Sequence, residues 1–253
     1  MQKPDTTKIL GVDISVTNMR DIVSYIVASL YDLKGKYICL TNVHTTVMAH
    51  KDSDYRRVQN EAYMALPDGR PLHYVQKRRG FSQAGQVAGP DLMPALFEAT
   101  ENTNIKHYFY GSSPQTIAAL EKNLREKYPN LQIVGMESPP YRTLTETEDD
   151  EAIARINLSG ADILWVGLGA PKQEIWMHEH REKIRALMLG VGAGFDFHAG
   201  TVRRAPRWMQ VCYLEWLYRL LQDPKRLWRR YFVTNATFIF LMLKERFCKH
   251  ENT

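Results

Sequence analysis

The chain has 253 residues, 44% apolar and 24% charged, with 15 Gly and 12 Pro, which excludes a disordered, collagen-like or small disulfide-stapled protein and suits one domain with an extension or two small domains. Its net charge of +5 is unevenly placed: residues 201–253 hold 11 Lys/Arg against 4 Asp/Glu, whereas residues 1–200 hold 22 against 24. A basic end on a faintly acidic body predicts that this end has a partner of its own.

In chain order, Met1-Gln2-Lys3-Pro4-Asp5 is followed by no apolar segment of signal-peptide kind, so no secretion signal is expected. A helix is predicted over residues 18–30, where Ile22, Ile26 and Leu30 recur four residues apart. Short apolar runs at 37–40, 63–66, 107–110, 132–135, 163–166 and 187–191 then alternate with helical patterns such as 114–128, which has Ser113 as N-cap. That alternation predicts an α/β fold, a Rossmann-like and mostly parallel sheet with helices on both faces. Residues 139–150 read as a surface loop whose acidic end starts a helix reaching Leu158, since acids favour a helix N-terminus. Near residue 200 the composition changes. A core of residues 1–200 gives way to a helical appendage, residues 201–253, rich in Trp, Tyr, Leu and Arg and broken at Asp223-Pro224. The appendage's longest apolar stretch, 231–243, is interrupted by Thr234, Asn235 and Thr237 and is shorter than the roughly 20 residues that span a bilayer. Cys39, Cys212 and Cys248 are too few and scattered for a disulfide framework, which suggests a reducing compartment.

Ligands of open parallel sheets lie beyond the carboxyl ends of the strands, so the residues after each strand carry the functional expectation. Here they are Thr41-Asn42-Val43-His44, Pro67-Asp68-Gly69, Gly111-Ser112-Ser113-Pro114, Gly167 through Glu174, and Gly192 through His198. Gly111-Ser112 and Gly167-Leu168-Gly169 each precede a proline near a helix start. Such a turn leaves free N–H groups and a positive dipole end for an anion such as a diphosphate, though ordinary βα turns share the pattern. Asp68, between Pro67 and Gly69 at the end of an apolar strand, is the candidate general base, because desolvation raises a carboxylate's pKa. A carboxylate that merely caps the next turn is the competing reading. Asn42 and His44 are placed to orient a substrate hydroxyl. Asp52-Ser53-Asp54 imitates a metal-binding Asp-x-Asp but sits where a helix cap is expected. His178 and His180, at i and i+2 of a helix, point to different sides and do not suit zinc. A nicotinamide fingerprint fails at Lys172, where the third glycine is required.

Taken together, Pro67-Asp68-Gly69-Arg70-Pro71-Leu72, Val87 to Met93, Val166 to Trp176, Gly190 to Gly200 and Arg203 to Met209 resemble the WecG/TagA/CpsF glycosyltransferases over about residues 42–231. The resemblance implies a Rossmann-like core of its own type (GT-E) and a C-terminal appendage that closes the site and touches the membrane. It implies an inverting, metal-independent and cofactor-free transfer from a UDP-sugar (N-acetylmannosamine, its uronic acid, or another hexose or uronic acid) to an undecaprenyl-diphosphate-linked saccharide, in cell-wall, capsule or exopolysaccharide synthesis. By motif, Asp68 is the base, Asn42 its neighbour, and Gln173 a donor contact. The family's threonine falls where Leu40 stands, which leaves adjacent Thr41 as a candidate for that role. The remaining substrate contacts are then Gly111, Ser112, Gly167, Gly169, Lys172, Asp196, Arg203 and Arg207. Lys172 or an appendage arginine stands in for a divalent ion, and Asp196 accepts from uracil or ribose.

The expected partners are thus the UDP-sugar, the polyprenyl-linked acceptor and an anionic membrane, reached through residues 201–253 from the cytoplasmic side. No nucleic-acid motif accompanies the basic segment. Self-association stays open, as does an alternative reading as a nucleotide-dependent oxidoreductase or epimerase.

Overall fold

The computed structural model describes residues 2–206, 208–209 and 214–250, the side chains of 226, 229, 230 and 246–250 excepted. It begins with an antiparallel hairpin, β1 (Thr6–Ile9) and β2 (Val12–Ser15), which the apolar pattern does not predict. Each strand has only four residues, too few for a readable alternation. The local mark of the hairpin is its two-residue turn, Leu10-Gly11, with φ of 49° and 90°, the positive values that match the twist of paired strands.

The predicted strands all form, each within two residues of its expected bounds: β3 (Tyr37–Thr41), β4 (Met64–Pro67), β5 (Lys106–Gly111), β6 (Gln132–Glu137), β7 (Ile163–Gly167) and β8 (Leu187–Gly190). They make one parallel sheet in the order β4-β3-β8-β7-β5-β6. Every residue of β3 is buried, as expected of a strand covered on both faces. Ile38 and Leu40 turn to a layer containing α1 (Met19–Ser29), α5 (Gly89–Thr100) and α6 (Pro114–Lys127). Tyr37 and Cys39 turn to the opposite layer, under α7 (Glu146–Leu158) and α8 (Lys172–His180).

This two-sided winding positions the site. β5 and β7 are neighbours in register up to Gly111 and Gly167. The chain nevertheless leaves β5 into α6, whose Ile117, Leu120 and Leu124 join the first layer, and leaves β7 into α8, whose Met177 joins the second. Connections that part in this way open a crevice above the strand ends.

The other helices are α2 (Val43–Lys51), α3 (Ser53–Glu61), α4 (Arg70–Arg78), α9 (Gly194–Ala199), α10 (Glu215–Gln222) and α11 (Pro224–His250). The break between the last two falls at Asp223-Pro224, where the Asp223 carbonyl accepts from Leu227 N at 3.1 Å. Helix α11 packs on α2, and its Phe238, 6% exposed, joins Ile9, Val12, Ile14, Val43, Val47 and Leu72 in one apolar cluster. The C-terminal segment therefore shares the core that the hairpin begins. Among the described residues no helix is long and apolar enough to cross a membrane.

Candidate active site

Asp68 and Asn42 meet at the ends of adjacent strands. The backbone brings them together, since Asp68 N donates to the Thr41 carbonyl at 2.8 Å as β3 and β4 end side by side. Asn42 caps α2: its Oδ1 accepts from His44 N at 3.0 Å and Thr45 N at 3.3 Å, and Thr45 Oγ1 accepts from Asn42 N at 2.9 Å. With its oxygen committed to the helix, the Asn42 amide has only its nitrogen to offer, and Nδ2 donates to Asp68 Oδ2 at 3.3 Å. Burial raises the Asp68 carboxyl from its ordinary 3.8 to about 6, against the lowering effects of the Asn42 hydrogen bond, the Gly89 N–H at the start of α5, and the Arg219 charge. A carboxylate so poised is ionised near neutrality yet basic enough to take a proton.

The other strand ends supply the opposite wall. Gly111, at φ 132°, lies so close to β7 that a Cβ there would come within 2.5 Å of the Gly167 backbone. Ser112 N donates to the Gly167 carbonyl at 3.0 Å, and Ser112 Oγ donates to Asp196 Oδ1 at 3.4 Å, so the expected contacts Gly111, Ser112, Gly167 and Asp196 do converge. The two helix starts differ. Ser113 Oγ already accepts from Thr116 N at 3.1 Å and caps α6, whereas α8 begins at Lys172 with no side-chain cap, beside Gly169 at φ 79°. The α8 end is the better anion site of the two. Lys172 Nζ stands 5.1 Å from the ring centre of Tyr141, on the loop after β6, and Gln173 is buried against Gly190 and Gly192.

Helix α10 forms the roof. Glu215 and Arg219 both act on Asp68, the first raising and the second lowering its carboxyl, and the Arg219 guanidinium lies 5.4 Å from the ring centre of Phe197. Arg204 ties this roof to the core. It donates twice to Asp91, at 2.6 and 2.8 Å, and from Nε to Glu215 at 3.1 Å, which raises its own pKa. Arg203 lines the cleft and Arg207 lies outside the described residues. The cleft enclosed by these walls measures about 2980 Å³. Sites for single small ligands span roughly 300–1,000 Å³, so this one has room for two substrates together.

Some candidates go elsewhere. Thr41 is 0% exposed and donates to Gln59 Oε1 at 2.7 Å; strand alternation turns its side chain to the face of Tyr37 and Cys39, behind the cleft wall. Thr41 thus does not line the cleft, where its expected catalytic place would put it. Asp52 caps α3, accepting from Asp54 N at 2.9 Å and Tyr55 N at 3.1 Å. His178 pairs with Glu61 and His180 with Asp149, each at 2.7 Å. His44, by contrast, does line the cleft, next to α11, with Thr234 Oγ1 3.5 Å from its Nδ1. Sequence reasoning missed the inward turn of Arg204 and Arg219, which composition groups with the surface arginines.

A profile of the WecG/TagA/CpsF glycosyl transferase family matches residues 7–252. Two similar proteins, from Bacillus spizizenii and Bacillus subtilis, are both N-acetylglucosaminyldiphosphoundecaprenol N-acetyl-beta-D-mannosaminyltransferases. The first is 30% identical over 89% of this chain and 86% of its own length. The second is 31% identical over 90% of this chain and 88% of its own. The chain thus belongs to the WecG/TagA/CpsF family of glycosyltransferases.

Proposed function

We propose that the protein transfers N-acetylmannosamine, with inversion, from its UDP-sugar to an N-acetylglucosaminyl-diphosphoundecaprenol acceptor. The observation that carries this reading is the Asn42–Asp68 pair at the base of a cleft large enough for both substrates. Asp68 takes the proton of the acceptor hydroxyl as its oxygen bonds to the anomeric carbon. The bond from that carbon to the UDP oxygen breaks, and the electron pair leaves with the diphosphate. Asn42 holds the carboxylate oxygen in line. The α8 N-terminus, Lys172, Arg203 and Arg219 take up the charge that grows on the leaving group, so the reading calls on neither metal nor cofactor. Family membership leaves the oxidoreductase or epimerase alternative without support.

The same reading places the enzyme on the surface of the membrane that holds its acceptor. What supports this is a run of exposed apolar side chains in the basic C-terminal segment, among them Trp208, Trp216, Trp228, Phe232, Phe240 and Leu243. The test is UDP release from a panel of UDP-sugars, with and without a polyprenyl-diphosphate-linked N-acetylglucosamine acceptor and with EDTA present. UDP-N-acetylmannosamine should be consumed only with acceptor, at a rate EDTA does not change. Turnover of another donor alone, or loss of turnover in EDTA, would overturn the corresponding part.

A further inference from the structure

Behind the cleft wall runs a buried chain of hydrogen bonds that the mechanism above does not use. Glu174 is 0% exposed, an expensive position for a carboxylate and one retained where it specifies an arrangement. Its Oε2 accepts from the Tyr55 hydroxyl at 3.2 Å and its Oε1 from Gln173 Nε2 at 2.8 Å. The Tyr55 oxygen accepts from Gln59 Nε2 at 3.0 Å, and Gln59 Oε1 accepts from Thr41 Oγ1 at 2.7 Å. Because the Glu174 carboxyl accepts at both of its oxygens, it sets the direction of every bond in the chain. Tyr55 must donate to it, Gln59 must then turn its nitrogen to Tyr55, and its oxygen is left for Thr41.

At the other end the same rule fixes Gln173. With its nitrogen held by Glu174, its carbonyl oxygen faces Gly192, where a Cβ would stand 3.5 Å from Oε1. That oxygen is buried and has no hydrogen-bond partner among the described residues, which is costly unless a ligand supplies a donor. Gln173, Gly190 and Gly192 all line the cleft.

We infer that Glu174 is a positioning residue: with Tyr55, Gln59 and Thr41 behind it, it locks the Gln173 amide so that Oε1 accepts a hydrogen bond from a hydroxyl or N–H of the bound sugar nucleotide. The inference rests on the transferase reading and adds the polarity of this contact. It also gives Thr41 a role four hydrogen-bonded side chains, Gln59, Tyr55, Glu174 and Gln173, removed from the substrate.

Glu174→Gln keeps the size of the side chain and abolishes the rule, because its neighbours need no longer donate and the Gln173 amide is free to turn over. The expected result is a KM for UDP-N-acetylmannosamine raised about tenfold, the usual loss for one hydrogen bond, with kcat nearly unchanged and Tm not lowered. In a Gln173→Leu background the same substitution should change KM less than about twofold, since the two residues act as one unit. Tyr55→Phe, which removes the far donor, should move KM in the same direction by a smaller factor. An unmoved KM in Glu174→Gln, or an equal rise in the Gln173→Leu background, would overturn the inference. So would side-chain amide protons of Gln173 that exchange with solvent equally fast in wild type and Glu174→Gln, a readout that needs no turnover. Failure of the transferase reading is separate, because it shows in the wild-type enzyme as absence of UDP release.

Discussion

In the proposed reaction Asp68 has to take a proton at neutral pH, which calls for a carboxylate held somewhat against its preference; burial does this while Asn42 and Gly89 limit the cost. The sign follows from proton linkage. The folded state binds the Asp68 proton more tightly than the unfolded chain, so ionised Asp68 opposes folding; the penalty is absent below its ordinary 3.8 and grows until the pH passes about 6. Asp68→Asn should therefore raise Tm at pH 8 and leave it unchanged near pH 3.5, a pair of thermal melts that separates this cause from general repacking. The same substitution should lower kcat by about 10²–10⁴, the usual share of a general base. In the wild type, kcat/KM should climb with pH and level off above an apparent pKa of about 6. The residue was legible in the sequence because a proline, an aspartate and a glycine end an apolar run. Its partner's orientation was not, since it depends on the capping box that commits Asn42 Oδ1 to α2.

At the scale of elements, the sheet was legible for a physical reason: strands such as β3 and β4 are buried along their whole length and read as unbroken apolar runs. The hairpin was not, because β1 buries a single residue, Ile9. Nor could periodicity show which way α10 faces, since its Glu215 is tied through Arg204 to Asp91 of α5, distant in sequence. That orientation makes α10 an electrostatic control on Asp68, the proposed base. Arg219 lowers the Asp68 carboxyl and Glu215 raises it, so Arg219→Gln should move the acid limb of the kcat/KM profile to higher pH and Glu215→Gln should move it to lower pH. If Arg219 faces the leaving group as proposed, Arg219→Gln should also lower kcat by about tenfold or more. Glu215→Gln should leave kcat closer to wild type, though it also loosens Arg204. Opposite shifts from two residues on one helix would be hard to explain by distortion of that helix.

For the whole molecule, the uneven charge acquires a geometry. Residues 201–253 carry a net +7, yet Arg204 and Arg219 turn inward to Asp91, Glu215 and the cleft, so part of the excess serves the site and only the remainder is left for a surface. Helix α11 is likewise divided. Thr234 and Phe238 face the core, while Phe232 and Phe240 on its other side are 64% and 66% exposed, apolar where a helix against water would be polar. Deleting the segment would strip Phe238 from the cluster it shares with the hairpin and α2, so lost binding after truncation would report a damaged core as readily as a lost membrane contact. Substitution of the outward face avoids this. Phe232→Glu with Phe240→Glu places two charges at exposed positions that touch none of the active-site residues. The double variant should keep the wild-type Tm and its turnover of a short-chain, water-soluble acceptor, and should fail to sediment with anionic phosphatidylglycerol vesicles that carry down the wild type. Raising the salt from about 0.05 to 0.5 M should weaken the wild type's sedimentation only in part. Salt screens the attraction of Lys and Arg for the headgroups but leaves apolar insertion in place. Complete release by salt would mean that the exposed aromatic side chains stay in water and charge alone holds the protein to the vesicle.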